Sequence, residues 1–129
     1  MTQLHALTEL AGRILLATIF LLSGFTKITG YAGTQGYMES MNVPGELLPL
    51  VILTELGGGL LIVLGLWTRL TALAMAGFTL AAALLFHSNF TDQMQMIMFL
   101  KNVAIAGGFL ILFARGAGPL SLDARRTQP

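Results

Sequence analysis

Six side chains in this sequence stand where chemistry is costly to place. Arg13, Glu55 and Lys101 interrupt long apolar runs, Asn102 follows Lys101, and Lys27 and His87 stand at the ends of such runs. An ionisable group at the centre of a bilayer costs about 2.5–3.5 kcal/mol on insertion scales, so each should face other helices and find a partner. At a rise of about 1.5 Å per residue, Glu55 lies roughly 16 Å and Lys101 roughly 13 Å below the same surface. The matched depths predict a Glu55–Lys101 ion pair. Arg13 lies deeper, able to reach up to Glu55 or to snorkel past Glu9 one turn earlier. Arg13, Glu55, Lys101 and Asn102 together would make a buried polar site for a proton, an anion or a quinone head group. The bland alternative is a neutralised cluster that only fixes helix pairing. Lys27 and His87, with Glu39 or Glu46, would line an outer mouth.

The same inventory narrows the chemistry. Cys is absent, which removes disulfides, thiol catalysis and thiolate metal ligands. His5 and His87 fall about one bilayer thickness (~30 Å) apart and cannot ligate one haem within a chain. No metal-ligand cluster, phosphate-cradling loop, dinucleotide fingerprint or nucleophile elbow occurs. No catalytic residue and no metal ligand is therefore assigned. We expect no intrinsic cofactor, with a quinone or a lipid as the ligand that such a polar cluster suits.

The elements that must position these residues are membrane helices. Of 129 residues, 55% are hydrophobic and only 10% charged, and the mean hydropathy is +0.78. A soluble domain carries about 25% charged residues, and one this small has too much surface to cover with fewer. Four apolar stretches, at approximately 7–28, 45–66, 69–87 and 92–114, each match the about 20 residues a spanning helix needs. They are apolar all round, unlike a surface helix. The expectation is one all-α domain over 1–129, an integral membrane four-helix bundle. No Lys or Arg precedes the first apolar run and Arg13 interrupts it, so it reads as a retained helix and not a signal peptide.

The short link Gly65–Arg69 predicts that the second and third spans are antiparallel neighbours. Asn89 to Asp92 is placed to cap the fourth span, and Pro44 to open the second. Between the first two spans, Tyr37, Met38 and Met41 recur at helical spacing. That segment is either a short interfacial helix or a loop folded over the bundle mouth. Small residues four apart, as at Ala72 and Ala76, or Gly77 and Ala81, favour close helix packing and self-association into a homo-oligomer. Arg69, Arg115, Arg125 and Arg126 gather on one side and only Lys27 on the other, which predicts cytoplasmic termini. With a net charge of +1 and no basic stretch, nucleic-acid binding is excluded.

The ordered set of residues resembles the DoxX family of small four-helix membrane proteins. Arg13-Ile14, Phe20, Gly24-Phe25, Lys27 and Gly30 carry it in the first helix. Gly33-Thr34, Tyr37-Met38, Ser40 and Pro44 carry it in the loop, and Glu55, Leu64-Gly65 and Thr68-Arg69 around the second helix. Lys101-Asn102, Ala106-Gly107 and the tail Gly118 to Asp123 complete it. The resemblance implies the fold and the bacterial inner membrane. It also implies a link to quinone-reducing or oxidative-stress assemblies, in which electrons would come from a redox partner protein. The expected function is a non-catalytic membrane subunit or scaffold of such a system. The alternative is a small-solute or proton pathway through the bundle. An enzyme acting alone is the least supported class.

Overall fold

A computed structural model describes residues 2–127. The chain is built from α1 (Gln3–Thr29), α2 (Tyr31–Ser40), α3 (Leu48–Leu64), α4 (Thr68–Phe86), α5 (Gln93–Arg115) and α6 (Leu122–Thr127), with a 3-10 turn at Gly45–Leu47 leading into α3. No strand occurs among the described residues. Among the described residues, four helices are long and apolar enough to cross a bilayer. Their large side chains point outward: Leu15 is 74% exposed, Leu70 74% and Ile111 67%. An apolar surface of that extent is untenable in water and matches lipid.

Local signals set the helix ends. The Thr2 side chain accepts from His5 N at 3.2 Å and opens α1. Asp92 accepts from Met94 N at 3.0 Å and opens α5, as its position before the run foretold. Pro44 precedes the 3-10 turn, and α3 follows. At the other end of α3, Gly65 adopts φ 68°, while Gly65 N and Leu66 N return to the carbonyls of Ile62 and Leu61. That pairing satisfies two orphan carbonyls, and the left-handed residue favours glycine.

α1 packs along α3 and α4 along α5, with sparser contact between α3 and α4 despite their short link. Glycine permits the first pairing. A Cβ on Gly24 would stand 2.7 Å from Leu56 Cγ, and one on Gly59 2.9 Å from Leu21 Cδ2, so the two backbones approach closely. The two pairs meet over Ala17, Ile62, Met75 and the tilted rings of Phe20 and Phe109, 5.5 Å apart. Ala72 and Ala76 are buried in this layer, whereas Gly77 lies on the exposed face.

α2 makes that segment a short helix and not a loop, and it folds over the mouth of the bundle. Met38 is buried with Val43 and Leu48, and Tyr37 stacks on Phe86 at 5.6 Å. Gln35 Nε2 ties α2 to the following turn by donating to Gly45 O at 3.2 Å.

The tail returns to the opposite face. Asp123 N donates to Gly65 O at 2.8 Å, and the Asp123 carboxylate accepts from Trp67 N and Thr68 N at 2.7 and 2.8 Å. Asp123 thereby caps the N-terminus of α4, where the helix presents unpaired N–H groups and a partial positive charge.

Candidate functional site

Lys27, Glu55, His87, Lys101 and Asn102 all line one cavity of 420 Å³ beneath α2. They come from α1, α3, the end of α4 and α5. The walls are otherwise apolar, with Ile19, Phe78, Phe86 and Ile105 among them, and Tyr37 and Met38 of α2 contribute on that side.

Glu55 is the buried centre of this site, 5% exposed. Its carboxylate is held by Lys27, whose Nζ stands 2.9 Å from Oε1, and not by Lys101. The expected Glu55–Lys101 pair is corrected by helix pairing. Lys27 shares α1 with Gly24, the residue that lets α1 close on α3 at Glu55. Helical side chains lean toward their own N-terminus, so Lys27 leans from the mouth down toward Glu55. Lys101 stands on α5, which packs along α4. Matched depth places two residues at one level but not on facing helices.

Lys27 Nζ also donates to Ser23 Oγ at 2.5 Å. The ammonium meets Glu55 Oε1 off the direction of a hydrogen bond, leaving that oxygen without a well-formed donor. Glu55 Oε1 is buried against the ammonium, and the residue lines the cavity. Asn102 Nδ2 donates to Thr79 O at 3.3 Å, which fixes the amide on the cavity wall. His87 Nδ1 lies 3.3 Å from Gln95 Oε1, a hydrogen bond in the tautomer protonated at Nδ1. Lys101 is exposed and, among the described residues, has no carboxylate at ion-pair distance. The formal balance is two ammonium groups against one carboxylate.

Arg13 does not join this cluster, a second correction. It is 2% exposed, with Nη1 donating to the carbonyls of Ile62 and Val63 at 3.1 Å each, and Nη2 donating to Leu120 O. It fastens α1, the end of α3 and the tail together by donating to two carbonyls of the last turn of α3 and one of the tail. Backbone carbonyls occur at every residue, so no sequence signal pointed to these acceptors. Ser23, which bonds the Lys27 ammonium, was missed, though a polar residue one turn before Lys27 is a signal that could have found it. Thr79 and Gln95 gave no signal at all.

Among the described residues no three His, Asp or Glu side chains converge as metal ligands would. The residues suited to a ligand are instead hydrogen-bonding groups on an apolar wall: Glu55 as acceptor, with Lys27, Lys101 and Asn102 as donors.

The model of the family described as DoxX matches residues 8–88, which include most of α1, all of α2 to α4, and Lys27, Glu55 and His87 of the five polar cavity residues named above. The chain belongs to the DoxX family. Among similar proteins, inner membrane protein YqjF of Escherichia coli (strain K12) is 55% identical over 123 residues, 95% of each chain. Inner membrane protein YphA of the same organism is 40% identical over 124 residues, 90% of this chain and 88% of that one. No solved structure matches the chain. With four apolar helices and inner-membrane relatives, this DoxX protein is a multi-spanning protein of the bacterial inner membrane.

Proposed function

We propose that this DoxX protein is a non-catalytic membrane subunit that holds a quinone in the cavity beneath α2 and relies on a redox partner protein for electrons. The carrying observation is the cavity itself: 420 Å³, apolar walls, and Glu55, Lys27, Lys101 and Asn102 converging on it. Ligand sites of about 300–1,000 Å³ with a few placed polar groups suit such an amphiphilic ring. Lys101, Lys27 or Asn102 would donate to a quinone carbonyl, and the Glu55 carboxylate would accept from a quinol hydroxyl. Bound there, the quinone supplies the two-electron chemistry. The chain supplies position, hydrogen bonds and shelter from water. The termini, the Arg69 turn and the tail face the cytoplasm in this reading, and α2 faces the periplasm.

The test is equilibrium binding of a short-chain ubiquinone to the purified chain, preceded by an absorbance spectrum and metal analysis. Expected are no haem or flavin band, saturable binding, and affinity reduced about tenfold by Asn102→Leu and by Glu55→Gln, the size of one lost hydrogen bond to a charged or buried group. Binding indifferent to both changes would remove the site.

The pathway alternative draws on a second cavity, 710 Å³, on the opposite side of the bundle. Between the two lies the apolar layer of Ala17, Phe20, Ile62, Met75 and Phe109. A solute or proton would need a second conformation that parts this layer. Solute flux from liposomes holding the pure chain would favour that reading.

A further inference from the structure

The second cavity opens between α1 and α5 at the face of the termini. Its floor is apolar: Leu15 and Leu16 of α1 oppose Ile111 and Leu112 of α5. Gly108 keeps the floor open. A Cβ there would rest 3.5 Å from Leu16 Cδ1, an ordinary contact, and a larger side chain would fill the space.

The rim is charged. It holds Glu9, Arg13 and Arg115. Arg13 is buried, and while Nη1 and Nη2 hold carbonyls, Nε has no hydrogen-bond partner. Glu9 Oε1 is also buried without one. Arg69 donates to Arg115 O at 3.4 Å, which brings a third guanidinium beside the rim. Carbonyl acceptors cancel no charge, and Glu9 and Asp123 are the carboxylates that act on Arg13, so three guanidinium groups face two carboxylates.

The layout is that of an amphiphile. From Arg115 to Gly108 the helix descends about 10 Å, from a charged rim into an apolar floor. Guanidinium groups match phosphate oxygens, and basic pockets between membrane helices at one face recognise anionic head groups. The floor decides between a lipid and a bare anion. A free phosphate would leave the apolar floor of Leu15, Leu16, Ile111 and Leu112 unfilled, whereas a phospholipid covers it with acyl chain and brings a head group to the rim.

We propose that this cleft seats one anionic phospholipid, with its phosphate on Arg115 and drawn by the charge of the buried Arg13, a head-group hydroxyl donating to the Glu9 carboxylate, and its acyl chains over Gly108. The proposal stands on residues of the α1–α5 cleft and does not depend on the cavity beneath α2.

The experiment is native mass spectrometry of the detergent-solubilised full chain, offered phosphatidylglycerol, phosphatidylethanolamine and phosphatidylcholine separately. The expected result is retention of one phosphatidylglycerol with about five-fold preference over either zwitterionic lipid, the size of one basic contact. Arg115→Gln should abolish the preference. Arg115 is exposed, so this variant does not test folding. Gly108→Phe, which fills the floor, should lower retention of all three. Equal retention of the three lipids by the parent chain would overturn the proposal. So would a preference that survives Arg115→Gln, retention unchanged by Gly108→Phe, or displacement of the lipid by inorganic phosphate.

Discussion

Lys27 reaches Glu55 because a helical side chain leans toward the start of its own helix, and α1 rises toward the face that carries α2. The pair is thus pulled below the mouth, where Glu55 is 5% exposed but the Lys27 side chain still 25% exposed. Removing one partner of a fully buried pair costs about 3–5 kcal/mol, and the residual exposure of Lys27 places this pair below that range. Lys27→Met and Glu55→Gln should each lower the unfolding midpoint of the solubilised protein. The double variant should recover part of the loss, with a coupling of about 1 kcal/mol or more. The same cycle on Glu55 and Lys101 should be additive within about 0.5 kcal/mol. A strong Glu55–Lys101 coupling with none to Lys27 would reverse the assignment. The intramembrane charges and their need for partners were readable from the sequence. Which cation answers Glu55 was not, because depth along a helix leaves the neighbouring helix unspecified.

At the scale of elements, the tail is a clamp on the α3–α4 turn. Trp67 has φ 51°, an unusual conformation for a bulky residue, and Asp123 holds the N–H groups on either side of that strained corner. Burial pushes the Asp123 carboxyl up. Hydrogen bonds from Thr68 and Trp67 and the charge of Arg126 outweigh it, leaving the group below its ordinary 3.8. A depressed folded-state pKa contributes stability that is complete above the unfolded value and lost as pH falls through the folded one. Arg126 lies 5.8 Å over the Trp67 ring, and Trp67 is the one tryptophan of the chain, so its fluorescence reports the clamp. The emission should hold steady from neutral pH to about the ordinary carboxyl value and change only below it. Asp123→Ala should show the released emission at neutral pH, no acid step, and a stability loss of about 0.5–2 kcal/mol. An acid step that persists in the variant would assign it to another group. The sequence displayed Asp123 as part of a tail pattern, but a cap 55 residues distant in the chain has no local signature.

For the whole molecule, the two cavities lie on opposite sides of one apolar layer, and the charge is asymmetric about it. Arg69, Arg115, Arg125 and Arg126 stand at the face of the termini. On the other side of the layer stand Lys27, held by Glu55, and Lys101, so the basic residues there are fewer. Basic residues flanking the spans stay in the cytoplasm, so a Cys placed at Gly36 should react with a membrane-impermeant reagent in intact cells, and one at Arg125 should not. The parent chain has no Cys to interfere. The opposite labelling pattern would invert the protein and place the α2 cavity inside the cell.

Four spans, their order and the bias of charge across them were determined by the sequence alone, since hydrophobicity, helix length and net charge are sums over neighbours in the chain. The interfacial segment was legible as helical spacing, though its seat over the mouth was set by Met38 packing on Val43 and Leu48. Tertiary structure decided that α1 pairs with α3, through the missing side chains of Gly24 and Gly59, and so decided the partner of Glu55. It also moved Arg13 out of the polar cluster and onto three carbonyls. A lipid-soluble sequence is apolar on every face, so it carries little record of which face meets which, and that choice falls to close backbone approach and to the few polar groups that must be satisfied.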